Sequence, residues 1–77
     1  MDNSQLVAII SRLDAMMKAG GNEPQSRRFE KNGDERGVVT YNPANGTFML
    51  EEVATKQRFE FDNIDLAALE IFDLLDD

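Results

Sequence analysis

A chain of 77 residues has room for one hydrophobic core, and without Cys or His it has neither a disulfide to reinforce that core nor the usual ligands for zinc, iron or copper. Eight basic against fifteen acidic residues give a net charge of −7, which repels phosphate backbones and anionic headgroups and favours solubility. Lacking imidazole and thiol, the chain cannot assemble the familiar triads and dyads, and carboxylate chemistry is what remains.

The charge is uneven. Residues 1–37 hold six basic and six acidic groups, residues 38–77 two basic and nine acidic, so the excess lies in the C-terminal half. The start Met1-Asp2-Asn3-Ser4-Gln5 has no basic region or apolar run of the secretory kind, and no segment approaches the roughly 20 apolar residues of a membrane span. A cytoplasmic protein is therefore expected, and Asn45-Gly46-Thr47 reads as a turn rather than a glycosylation signal.

In chain order, Leu6, Ile9, Ile10, Leu13, Met16 and Met17 form one apolar helical stripe, with Asn3 or Ser4 available as N-cap and Gly20-Gly21 as the stop. Beyond Pro24 the apolar period drops to two. Strands are predicted at about 26–32, 35–41, 47–53 and 57–61, separated by Asn32-Gly33, by Asn42-Pro43-Ala44-Asn45-Gly46 and by Ala54-Thr55-Lys56. Asn-Gly suits a type I′ hairpin, and turns this short make an antiparallel meander. Alternation points Phe29, Val39, Tyr41, Phe48, Leu50, Phe59 and Phe61 to one face and Arg28, Glu30, Thr40, Thr47, Glu51, Arg58 and Glu60 to the other, where Val38 and Met49 are apolar exceptions. A second helix is expected over about 64–75, capped by Asp62 with Asp65 in its first turn. At about 100° per residue, Ile64, Ala67, Ala68, Ile71, Phe72, Leu74 and Leu75 share an arc about 160° wide. Leu66 and Leu69 project from the opposite side, among Asp65, Glu70, Asp73 and Asp76.

The predicted fold is thus one α+β domain over residues 1–77, in the order α-β-β-β-β-α, with a four-stranded antiparallel meander and both helices on its aromatic face. Chemistry has few places to sit. Adjacent Glu51 and Glu52 face opposite ways, capping explains Asp62 and Asp65 without a cation, and Gly20-Gly21 closes a helix instead of opening one onto a phosphate. No catalytic residue, cofactor or metal is assigned. Arg27, Arg28, Lys31 and Arg36 cluster on the first hairpin, but Glu30, Asp34 and Glu35 lie among them, which reads as a solvated edge before it reads as a nucleic-acid ribbon.

The string Phe59-Glu60-Phe61-Asp62-Asn63-Ile64-Asp65-Leu66, continuing through Glu70-Ile71-Phe72-Asp73-Leu74-Leu75, resembles the YkuJ-like family of short Firmicute proteins. The likeness extends to the Leu6–Leu13 stripe, the Arg28-Phe29-Glu30…Asn32-Gly33 hairpin and the Val39-Thr40-Tyr41…Thr47-Phe48 pair. It implies a bacterial cytoplasmic α+β domain and brings no catalytic or ligand residue with it.

The leading functional expectation is a non-enzymatic interaction module, homodimeric and able to bind another protein, with no membrane or nucleic-acid partner. Leu66 and Leu69 are the preferred contact surface, with Lys56, Arg58 or the Arg27–Arg36 hairpin of a second copy answering the surrounding acids. Val38 and Met49 are the competing surface. The alternative is a small ligand-binding protein or carboxylate-based enzyme with its site between sheet and helices. A weaker one is nucleic-acid contact through the Arg27–Arg36 hairpin.

Overall fold

The computed structural model describes residues 3–19 and 21–75. Helix α1 (Asn3–Lys18) leads into strands β1 (Gln25–Lys31), β2 (Asp34–Asn42), β3 (Thr47–Glu52) and β4 (Arg58–Phe61), and helix α2 (Ile64–Leu75) follows. The strands form one antiparallel sheet in the order β1-β2-β3-β4. Element order and pairing agree with the sequence reading, and strand limits differ by about a residue, as helix and strand ends commonly do.

Each hairpin follows from its turn residues. Asn32 and Gly33 take φ of 54° and 86°, the type I′ geometry that joins two right-twisted strands directly. Between Phe29↔Gly37 and Glu30↔Glu35 the register slips, leaving Arg36 as a bulge on β2 whose carbonyl accepts the Val53 N–H at 3.0 Å. The two later loops share one design: Gly46 N–H donates to Asn42 O at 2.8 Å, and Lys56 N–H to Glu52 O at 2.9 Å. In each, the donor residue is left-handed, with φ of 70° at Gly46 and 63° at Lys56.

Alternation builds the core. Val39 pairs with Leu50, Tyr41 with Phe48, Phe48 with Phe61 and Leu50 with Phe59, so these side chains share the face beneath the helices. Phe29, Val39, Phe48 and Leu50 are buried together with Ile9, Leu13, Met16, Ala67, Ala68, Ile71, Phe72 and Leu75. Helix α2 lies across all four strands and α1 packs chiefly against α2. The edge of this core at β1 is closed by Arg12 of α1, whose guanidinium carbon stands 5.5 Å from the Phe29 ring centroid. Gly37 gives α2 its close approach: a Cβ there would lie 2.8 Å from Leu74 Cδ2 and 3.3 Å from Glu51 O.

Three expectations are corrected. Asn63, not Asp62, caps α2: its Oδ1 accepts the N–H groups of Asp65 at 2.8 Å and Leu66 at 3.3 Å, while its carbonyl accepts that of Ala67 at 3.1 Å. The one-residue shift arises because β4 runs to Phe61 and the chain needs both Asp62 and Asn63 to turn from sheet to helix. Met17 is not core but 43% exposed, since the stripe of α1 meets only one neighbouring helix and the arc it buries is narrow. Helix α1 already runs from Asn3, so Asn3 and Ser4 both lie within it instead of preceding it as Asn63 precedes α2; Gly20 and Asp76 lie outside the described residues.

Candidate functional site: the open sheet face and the outer face of α2

Because both helices cover one side of the sheet, no element among the described residues lies over its other side. Side chains there stand in cross-strand rows. One row runs Ser26, Thr40, Met49, Glu60; the next runs Arg28, Val38, Glu51, Arg58; Asn42 and Thr47 form a short third. Val38 and Met49 are diagonal neighbours on β2 and β3, so their apolar groups meet at the centre. With Pro24 at one side, these two and Thr40, Asn42, Thr47, Glu51, Arg58 and Glu60 enclose a trough of about 290 Å³. Its shape follows from side-chain length: β2 contributes short Val38, Thr40 and Asn42, while β3 and β4 raise Met49, Glu51, Arg58 and Glu60 around them. Ser26 Oγ and Thr40 Oγ1 share a hydrogen bond of 2.9 Å, and Arg58 Nε stands 3.6 Å from Glu51 Oε1. The two central rows thus carry two arginines and two glutamates, and are balanced within a chain of net charge −7.

The second surface lies on the far side of the molecule. Leu66 and Leu69 are 54% and 53% exposed on α2, as its periodicity predicts. Asp65 and Asp73 are exposed beside them and Glu70 is half-buried. Among the described residues none of these three carboxylates is in an ion pair, and α2 contains no basic residue.

The basic hairpin does not assemble into a patch. Arg27 pairs with Val39 and Arg28 with Val38, so the two arginines point to opposite faces of β1. Arg28 Nε lies 3.9 Å from Glu35 Oε1, and Arg27 Nη1 donates to Ser26 O at 2.8 Å. Arg36 occupies the bulge, and Lys31 sits opposite Asp34 at the turn. Strand alternation disperses what looks clustered along the chain, and the nucleic-acid ribbon loses its geometry.

The space between sheet and helices is apolar: among the described residues no polar or charged side chain is buried there. A ligand site in that space would lack a polar handle, so the concavity that the alternative reading requires lies instead on the opposite face. No three acidic side chains converge as a cation site among the described residues. No helix among them is long and apolar enough to cross a membrane.

The sequence singled out Val38, Met49, Leu66 and Leu69 as apolar groups outside the core, and each is exposed or half-buried, but it did not indicate the trough around the first pair. Its signal was present in the alternation, which had put Thr40, Thr47, Glu51, Arg58 and Glu60 on the same side. What periodicity does not express is how a twisted sheet and unequal side chains make a hollow.

Residues 9–75 match a family model described as a protein of unknown function (DUF1797). The chain belongs to this family. It is 40% identical over 77 residues to the uncharacterised protein YkuJ of Bacillus subtilis (strain 168), a match that covers 94% of this chain and 98% of the relative. The X-ray structure of the Bacillus subtilis YkuJ protein superposes with a TM-score of 0.86 at 39% identity, covering 92% of this chain and 96% of that one. The resemblance carried by the Phe59–Leu66 string and the α-β-β-β-β-α order is therefore one of common family and common fold.

Proposed function

We propose that the protein is a non-enzymatic interaction module that works in the cytoplasm as a homodimer, with the open sheet face as its self-association surface. The observation that carries this reading is an entire sheet face with an apolar centre, Val38 and Met49, and balanced charge in its central rows. A small domain gains most from covering such a face, because its single core leaves little stability in reserve. Two copies meeting there can set Arg28 and Arg58 of one against Glu51 and Glu60 of the other.

This reverses the preference for Leu66 and Leu69. Around those residues an isologous contact would bring acid against acid, and Arg28 and Arg58, two of the bases expected to answer, stand on the open sheet face, on the opposite side of the molecule from the outer face of α2. The absence of His and Cys supports a role without catalysis.

Sedimentation velocity over a wide concentration range tests the reading on three proteins: wild type, Val38→Lys/Met49→Lys and Leu66→Lys/Leu69→Lys. The expected result is a dimeric wild type, a monomeric sheet-face variant and a dimeric helix variant. A wild type that remains monomeric throughout, or a sheet-face variant as dimeric as its parent, overturns it.

A further inference from the structure

The outer face of α2 presents a problem that the dimer does not solve. Leu66 and Leu69, three residues apart on one side of the helix, are more than half exposed although α2 is otherwise the most deeply packed element of the fold. Stepped around the helix, Asp73 falls between them and Asp65 and Glu70 flank them on either side. No base on α2 offsets these acids, and none of the three is in an ion pair among the described residues. Asp73 is also poorly placed for the helix, in the last turn, where the carbonyl end of the dipole is negative and a cation is preferred. The sequence adds Asp76 and Asp77 just beyond.

We infer that this face docks a cationic amphipathic segment of another protein, its apolar side chains covering Leu66 and Leu69 and its Lys or Arg side chains meeting Asp65, Glu70 and Asp73. Charge selects the occupant. A second copy brings the same acids into opposition, while a nucleic acid or an anionic lipid surface is repelled. A partner with basic residues flanking apolar ones satisfies both the exposed leucines and the carboxylates Asp65, Glu70 and Asp73, and supplies a cation where the last turn of α2 has no basic residue of its own. The inference rests on the interaction-module reading but not on the dimer, because α2 and the open sheet face lie on opposite sides of the molecule. In a dimer joined through the sheets, both α2 faces remain outermost and each copy holds one segment.

The test uses the whole chain, isotopically labelled, titrated by NMR with a synthetic helix-forming peptide of Leu and Lys that has one apolar and one basic face. A scrambled peptide of the same composition is the control. The expected result is saturable shifts concentrated in residues 64–75, weakened by added salt and absent with the scrambled peptide. Leu66→Lys/Leu69→Lys and the milder Leu66→Ala/Leu69→Ala, both checked for native spectra, should weaken binding by about tenfold or more. Asp73→Lys should weaken it while raising the thermal midpoint, an opposition that a merely structural role for Asp73 does not produce. Equal binding of the scrambled peptide, shifts centred on Val38 and Met49, leucine variants that bind like wild type, or no saturable binding would each overturn the inference. So would shifts in α2 that grow with protein concentration alone, which would make a second copy the occupant. The sedimentation series separates the two readings: loss of peptide binding with the dimer retained removes only the α2 site, and loss of the dimer with peptide binding retained removes only the sheet interface.

Discussion

The two faces of the sheet are built by the same strands, residue by residue in turn, and they have opposite fates. Val39 is completely buried and its neighbour Val38 is not; Leu50 is buried and Met49 only half so. Nothing in residue type separates the members of these pairs. What separates them is that α2 lies across one face and no described element lies across the other, so equal hydrophobicity yields a core on one side and an unfilled hollow on the other. Position relative to the helices, rather than side-chain character, decides which apolar residues hold the fold together and which remain available to a partner.

Substitutions sharpen that contrast, and the largest effects belong on the covered face. Phe48, paired with both Tyr41 and Phe61 and only 2% exposed, should cost about 3–5 kcal/mol when truncated to Ala, enough to unfold a domain of this size. Phe61→Ala should cost clearly less, because Phe61 sits half-buried on the edge strand β4. Urea titrations of both variants measure the difference, and equal losses would show that β4 is held more tightly than its exposure indicates.

Gly37 tests how closely the covering helix approaches. Gly37→Ala places a methyl group 2.8 Å from Leu74 Cδ2, 3.1 Å from Leu50 Cδ1 and 3.3 Å from Glu51 O. The half-buried Leu74 can swing aside but the carbonyl cannot, so a loss of about 1–2 kcal/mol is expected in the same titration. A neutral Gly37→Ala would mean that α2 rides higher over the sheet. Asn63→Ala removes the cap that starts α2, with an expected loss of about 1 kcal/mol, whereas Asp62→Ala should change little.

The paired loops offer a smaller contrast of the same kind. Gly46 and Lys56 take the same left-handed backbone and make the same hydrogen bond, but only one is glycine. Lys56→Gly should therefore stabilise by roughly 0.5–1 kcal/mol, and Gly46→Ala should destabilise by a similar amount. Thermal unfolding of the two variants should move in opposite directions. Smallest of all, Val38→Thr and Met49→Ala on the open face should each change monomer stability by less than about 1 kcal/mol while weakening self-association, measured by sedimentation. A large loss of monomer stability from either would make the hollow part of the core.

Much of this protein was legible from the sequence because its signals are local. The 3.6-residue stripe of Leu6–Met16, the period of two from Phe29 to Phe61 and the Asn32-Gly33 turn each require only neighbouring residues to be read, and each appears in the structure where periodicity places it. Leu66 and Leu69 were legible for the same reason: a helix's outward face is determined by angle alone. The limits were also physical. Met17 belongs to the stripe by angle but has no surface opposite it, and Asp62 is as good a capping residue as Asn63 until the end of β4 is known. Arg27, Arg28, Lys31 and Arg36 look like one patch along the chain, but alternation and a single bulge send them different ways. Only the tertiary structure could make Gly37 a contact point for α2 or gather Val38, Thr40, Met49 and Glu51 around a hollow. Those relations join residues far apart in the chain, through the packing of one helix on four strands.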